Sequence, residues 1–167
     1  MYSNYTLAKK DIQVKILFDN VNFDSSSGPN QFGLFLARQF ANMGHVLADQ
    51  NDYDCQLSFI QKTNNLKPTC LRLDGIWFWA DRDWKTLNKP IEESYHQSEA
   101  VVVQSDFDRQ LIIKYFVEHP NIHVIHNGAP LEEIEKIKPL DVSQLDQYEE
   151  VWCCASQYKG RPHKRMN

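Results

Sequence analysis

Five short clusters carry groups that could bind or transform a polar ligand. Ser25-Ser26-Ser27-Gly28 precedes Pro29 and an apolar-periodic stretch. If a helix begins there, its first N–H groups and its dipole face the loop and attract anions. Ser27 and Gly28 are therefore candidate ligand contacts; the alternative is a glycine that merely permits a tight turn. Arg72-Leu73-Asp74-Gly75 sets a cation and a carboxylate two residues apart, on one side of an extended chain. The pair could meet a ligand or form a structural ion pair ahead of a turn at Gly75. Gln104-Ser105 and Asn127-Gly128 each follow an apolar run. Arg161-Pro162-His163-Lys164-Arg165 suits a diphosphate, Arg by its planar fork and Lys as a point charge. Its alternative is a solvated basic tail.

Other chemistries fit the residues less well. There is no G-x-G-x-x-G and no G-x-x-x-x-G-K-[ST], so neither a dinucleotide fingerprint nor a P-loop is present. His119, His123 and His126 are close in sequence, but positions three apart on a strand point to opposite faces. No metal site is expected from them. Cys55, Cys70, Cys153 and Cys154 contain no C-x-x-C pair and read as free thiols.

The elements around these clusters alternate. Val14 to Phe18 reads as a strand, followed by a helix from Pro29 that ends at Gly44. Phe32, Phe35, Leu36, Phe40 and Met43 recur on one face of that helix. Cys55 to Ile60 and Thr69 to Leu73 read as strands. Asn88 is read as the cap of the next helix, and Ala100 to Val103 as a central strand buried on both faces. Ser105 caps a helix whose inner side is read as Phe107, Leu111, Ile112, Tyr115 and Phe116. Ile122 to Ile125 is a strand, and Pro130 opens a short helix. Strands alternating with helices predict a Rossmann-like α/β sandwich around a mainly parallel sheet. Ligands of such sheets bind beyond the carboxyl ends of the strands, where Arg72, Asp74, Ser105, Asn127 and Gly128 would all lie.

Composition bounds the function. The 167 residues hold 18 Lys plus Arg against 22 Asp plus Glu, a formal charge of −4, which argues against a nucleic-acid coat. Hydrophobic residues make up 42%, enough for a packed core. No apolar run approaches the ~20 residues that span a bilayer, and the N-terminus lacks a signal-peptide core, so a cytoplasmic protein without a transmembrane segment is expected. Val151 to Ala155 begins a fresh strand, and no helix follows the basic element. The expected organisation is one domain over 1–143, with 144–167 the crossing into a truncated second domain.

In order, Gly28-Pro29-Asn30, Gly44-His45, Arg72-Leu73-Asp74-Gly75, Ala100 to Ser105, Val124-Ile125-His126-Asn127-Gly128 and Arg161 to Arg165 resemble the N-terminal half of a GT-B glycosyltransferase of family 4. The resemblance covers residues 12–167. It implies two Rossmann-like domains facing across a cleft, and sugar transfer from a nucleotide-sugar donor with retention, no metal and no further cofactor. The acceptor, whether carbohydrate, lipid or protein, is not specified, and peripheral membrane association is left open. By similarity, Arg161 and Lys164 match the basic pair on the donor diphosphate. Ser27 and Gly28 match the cleft loop. Asp74 falls where the family presents a polar residue, often His, and is the candidate catalytic residue. Arg72, Ser105, Asn127 and Gly128 mark the cleft edge. The chain lacks the E-x7-E glutamates that contact the donor sugar, so by itself it is expected to be inactive. The alternative is a stand-alone Rossmann-like module that binds a nucleotide or a protein without catalysis.

Overall fold

A computed structural model of the chain describes residues 12–78, 81–129, 131–139 and 141–151. By compactness it divides into two units, Met1–Ala129 and Pro130–Asn167. The first unit holds a six-stranded, all-parallel sheet. In chain order its elements are β1 (Lys15–Asp19), α1 (Gly28–Asn42), β2 (Val46–Leu47), β3 (Cys55–Phe59) and β4 (Thr69–Leu73). They continue with α2 (Trp84–Gln97), β5 (Ala100–Val103), α3 (Asp106–Phe116) and β6 (Ile122–Val124). The strand order is β2-β1-β3-β4-β5-β6. The second unit contains α4 (Leu131–Ile134) and a 3₁₀ turn at Ser143–Leu145.

Register and side-chain alternation assign the layers. Leu71, Leu73, Val101 and Val103 share one face and pack with Ile91 and Tyr95 of α2 and Ile112 and Phe116 of α3. Phe18 and Phe59 occupy the other face, where they meet Phe40 and Phe32 of α1. The result is the expected three-layer α/β sandwich, one helix on one side and two on the other. The β3–β4 crossover departs from strict alternation: it is a loop over residues 60–68, not a helix.

Local chemistry explains where elements begin, and corrects several sequence expectations. Asp83, not Asn88, caps α2: its carboxylate accepts from Thr86 N at 3.2 Å and from Thr86 Oγ1 at 2.7 Å. Asn88 is buried one turn further on. The buried face of α1 is Gly33 and Ala37, flanked by half-buried Phe32, Leu36 and Phe40, and Met43 is exposed. Gly33 packs tightly: a Cβ there would stand 2.9 Å from Val21 Cγ1 in the loop after β1 and 3.5 Å from Phe59 Cζ of β3. Gly44 does end α1 with a left-handed φ of 87°. β5 lies second from the sheet edge rather than at its centre, and Val102 is only half-buried. In α3 the inner pair is Ile112 and Phe116, whereas Phe107 and Tyr115 face solvent. No described helix is long and apolar enough to cross a membrane.

Candidate functional site

A parallel sheet brings all its carboxyl ends to one edge, and three strands here end in polar groups that meet. Arg72, on β4, reaches over that edge. Its guanidinium pairs with Asp74 and donates to Asn127 Oδ1 at 3.2 Å. Gln104, just beyond β5, donates from Nε2 to Asp74 Oδ1 at 2.7 Å and accepts from Asn127 Nδ2 at 2.6 Å. His126 Nδ1 lies 2.8 Å from the Gln104 carbonyl oxygen and must donate to it, because a carbonyl only accepts. Arg72, Asp74 and Asn127, singled out in the sequence, are thus one network, with Gln104 as its hub.

Aromatic rings hold the cation from beneath. The Arg72 guanidinium carbon stands 4.0 Å from the Phe32 ring centre and 5.4 Å from that of Phe59. α1 and β3 therefore help to fix a side chain of β4. Burial is the larger influence on both charged partners: it lowers the Arg72 pKa and raises that of Asp74 above its usual 3.8. The ion pair and, at Asp74, the Gln104 amide offset it in part. Arg72 and Gln104 both bond the Asp74 carboxylate at Oδ1. Among the described residues no hydrogen bond falls on Oδ2, and the side chain is partly exposed.

Ser105 sits beside the network but is occupied as the α3 cap: its hydroxyl accepts from Asp108 N at 3.1 Å and donates to Asp108 Oδ2 at 2.7 Å. Gly75 has a φ of 125°, so the turn read after Asp74 is real. Gly128 is exposed and follows Asn127. Ser27 and Gly28 lie at the start of α1, both exposed, and the Ser27 hydroxyl makes no capping bond. Gly28 is an ordinary first helical residue without a positive φ, with nothing near the place a Cβ would take, so the tight-turn alternative falls away. The loop belongs to the edge through topology. The chain passes from β1 outward to β2 and back to β3, and the switch point of such a sheet lies beyond the ends of β1 and β3. Arg161 and Lys164 lie outside the described residues.

One cluster had no counterpart in the sequence reading. Asp19, the last residue of β1, is buried. Its carboxylate accepts from Gln56 Nε2 at 3.2 Å, Ser58 Oγ at 2.8 Å, Thr63 N at 3.0 Å, the Thr63 hydroxyl and Asn64 Nδ2 at 3.3 Å. Gln56 Oε1 has no hydrogen-bond partner among the described residues. The alternation of polar Gln56 and Ser58 in β3 was the available signal, but without the strand order nothing paired it with Asp19.

Redox and metal chemistry find little footing among the described residues. Cys55 and Cys70 are free, and burial pushes the Cys70 thiol up to about 11, which keeps it protonated and inert. No group of three metal-ligating side chains occurs among the described residues. Comparison of the chain with protein-family models, with curated proteins and with solved structures finds no match.

Proposed function

We propose that this chain supplies the acceptor-side domain of a nucleotide-sugar-dependent, retaining and metal-independent glycosyltransferase. The supporting observation is the Arg72–Asp74–Gln104–Asn127 network at the carboxyl edge of the sheet, with no hydrogen bond on Asp74 Oδ2 among the described residues. The ordered motifs that resemble family 4 point the same way. In this reading the Asp74 carboxylate orients the acceptor hydroxyl, and Arg72 and Gln104 hold that carboxylate in place. Ser27 and Gly28 border the donor phosphates with the free N–H groups of α1. Arg161 and Lys164 bind the diphosphate and stabilise charge on the leaving nucleotide. The donor-sugar contacts come from a second domain.

The test joins gene and enzyme. An E-x7-E motif roughly one domain's length beyond Asn167 is expected in the reading frame. In the enzyme carrying both domains, Lys164→Ala should reduce kcat/KM for the donor about 30- to 1,000-fold, the loss of one transition-state contact. Donor kinetics within about twofold of wild type would leave the basic element a solvated loop and favour a non-catalytic nucleotide- or protein-binding module.

A further inference from the structure

Asn127 belongs to the edge network and also stands at a reactive position in the chain. Of the asparagines, only this one is followed by glycine; the others with a successor precede side chains such as Val21, Phe23, Asp52, Leu66 and Ile122. An asparagine side chain and the next backbone nitrogen can close into a five-membered imide. A side chain on the next residue obstructs that approach, and glycine does not. Residues 125–129 form neither helix nor strand, and Asn127 and Gly128 are both exposed. A Cβ on Gly128 would meet nothing within 4 Å. No hydrogen bond holds the Gly128 N–H among the described residues, so no ladder contact must break before the nitrogen can move.

The network prepares the other reacting group. Arg72 donates to Asn127 Oδ1 at 3.2 Å. A buried guanidinium on that oxygen draws electron density from Cγ and stands where negative charge gathers when the amide is attacked. The same side chain matters to its neighbours. Asn127 Nδ2 donates to Gln104 Oε1 at 2.6 Å, and Gln104 Nε2 in turn donates to Asp74 Oδ1 at 2.7 Å. A carboxylate at position 127 has no N–H to offer Gln104, and it presents Arg72 with a second anion beside Asp74. Two acceptor oxygens cannot keep the contact that Nδ2 makes, so the Gln104 amide must turn or withdraw.

We propose that Asn127-Gly128 is a self-modification site, where the folded chain converts Asn127 to aspartyl and isoaspartyl forms and so releases the Gln104 hub. Solvent hydroxide takes the Gly128 N–H proton, and the nitrogen attacks Asn127 Cγ. The new C–N bond forms as Oδ1 gains the charge. Collapse breaks the Cγ–Nδ2 bond, and Nδ2 takes a proton from water and leaves as ammonia. Water then adds to either carbonyl of the imide and opens the ring. The sum is amide plus water giving acid plus ammonia, with no redox change. This chemistry goes beyond the glycosyltransferase reading and does not depend on it. The test is incubation of the folded 167-residue chain in warm, mildly alkaline, heavy-oxygen water, followed by peptide mapping that separates the two isomers. Asn127 should convert before any other asparagine, take up the label and appear in both forms. Gly128→Ala fits the open space and should slow conversion about tenfold or more, with a melting temperature within about 2 °C of wild type. In nitrogen-labelled protein the Gln104 side-chain amide resonances should move as conversion proceeds, and Asn127→Asp should reproduce the shift of the aspartyl form. Conversion seen only after unfolding in urea, conversion unaffected by Gly128→Ala, or equal conversion at other asparagines would each overturn the proposal. Gln104 resonances that stay in place in converted protein would overturn the link to the hub.

Discussion

One face of the sheet is sealed in two different ways. Over β4 and β5 it carries Leu71, Leu73, Val101 and Val103, covered by α2 and α3. Over β1 and β3 the same face carries Asp19, Gln56 and Ser58, all buried, and the loop after β3 is tied to it through Thr63 and Asn64. The first half is closed by removing apolar surface from water, which needs no particular geometry. The second is closed by hydrogen bonds to one carboxylate, each of which must be made or its buried donor is stranded. A helix can cover a sheet with side chains alone, whereas an irregular loop brings backbone N–H groups that need acceptors. The polar half therefore belongs with the loop.

The contrast can be broken at several points. Leu71→Ala and Ile112→Ala should cost about 2–5 kcal/mol each, measured by urea denaturation, because both side chains are fully buried. Asp19→Ala should cost about 2–4 kcal/mol by stranding the Ser58, Gln56 and Thr63 donors. Hydrogen exchange should place its effect on residues 60–66, and an unchanged midpoint would mean that the loop is held by something else. Arg72→Lys should cost about 1–2 kcal/mol, since an ammonium cannot both pair with Asp74 and Asn127 and lie flat on Phe32.

A fourth outcome is read from pH. Burial raises the Asp74 pKa above 3.8, so the folded state holds that proton more tightly than the unfolded chain. Asp74's contribution to stability must then fall as pH climbs from about 3.8 through the raised value. Asp74→Asn should remove that slope from the stability profile. Glu99 provides the opposite sign. Its carboxylate accepts from Thr69 N at 2.6 Å, which lowers its pKa from the usual 4.5. Its contribution is present above 4.5 and lost as pH falls through the lowered value. The smallest effect is expected at Gly28→Ala, within about 0.5 kcal/mol, because the site is exposed and the backbone is helical.

Much of the edge network was legible because parallel strands with spaced polar ends leave few options. Arg72 and Asp74 share a strand side, and the pairing follows once the chain is extended. Their partner Asn127 was marked by its place after a strand, but Gln104 as the hub needed the β4–β5–β6 order. Asn88 looked like a cap because asparagine favours caps. Asp83 takes that role five residues earlier, and Asn88 serves a loop instead. Phe107 looked like core because periodicity records apolar spacing and not the angle at which a helix docks.

The sequence by itself determined the class of architecture, every described strand but the two-residue β2, the helices between them and the polar groups at strand ends. These depend on local periodicity and turn chemistry, which neighbouring residues carry. Only the tertiary structure decided which groups meet. Asp19 finds Ser58 through the β1–β3 register, Phe32 comes beneath Arg72 where Gly33 packs closely on Val21 and Phe59, and Asn88 holds both backbone polar groups of Trp77. Each of these contacts joins residues far apart in the chain. Strand order and helix docking settle them through packing, which no local stretch of residues encodes.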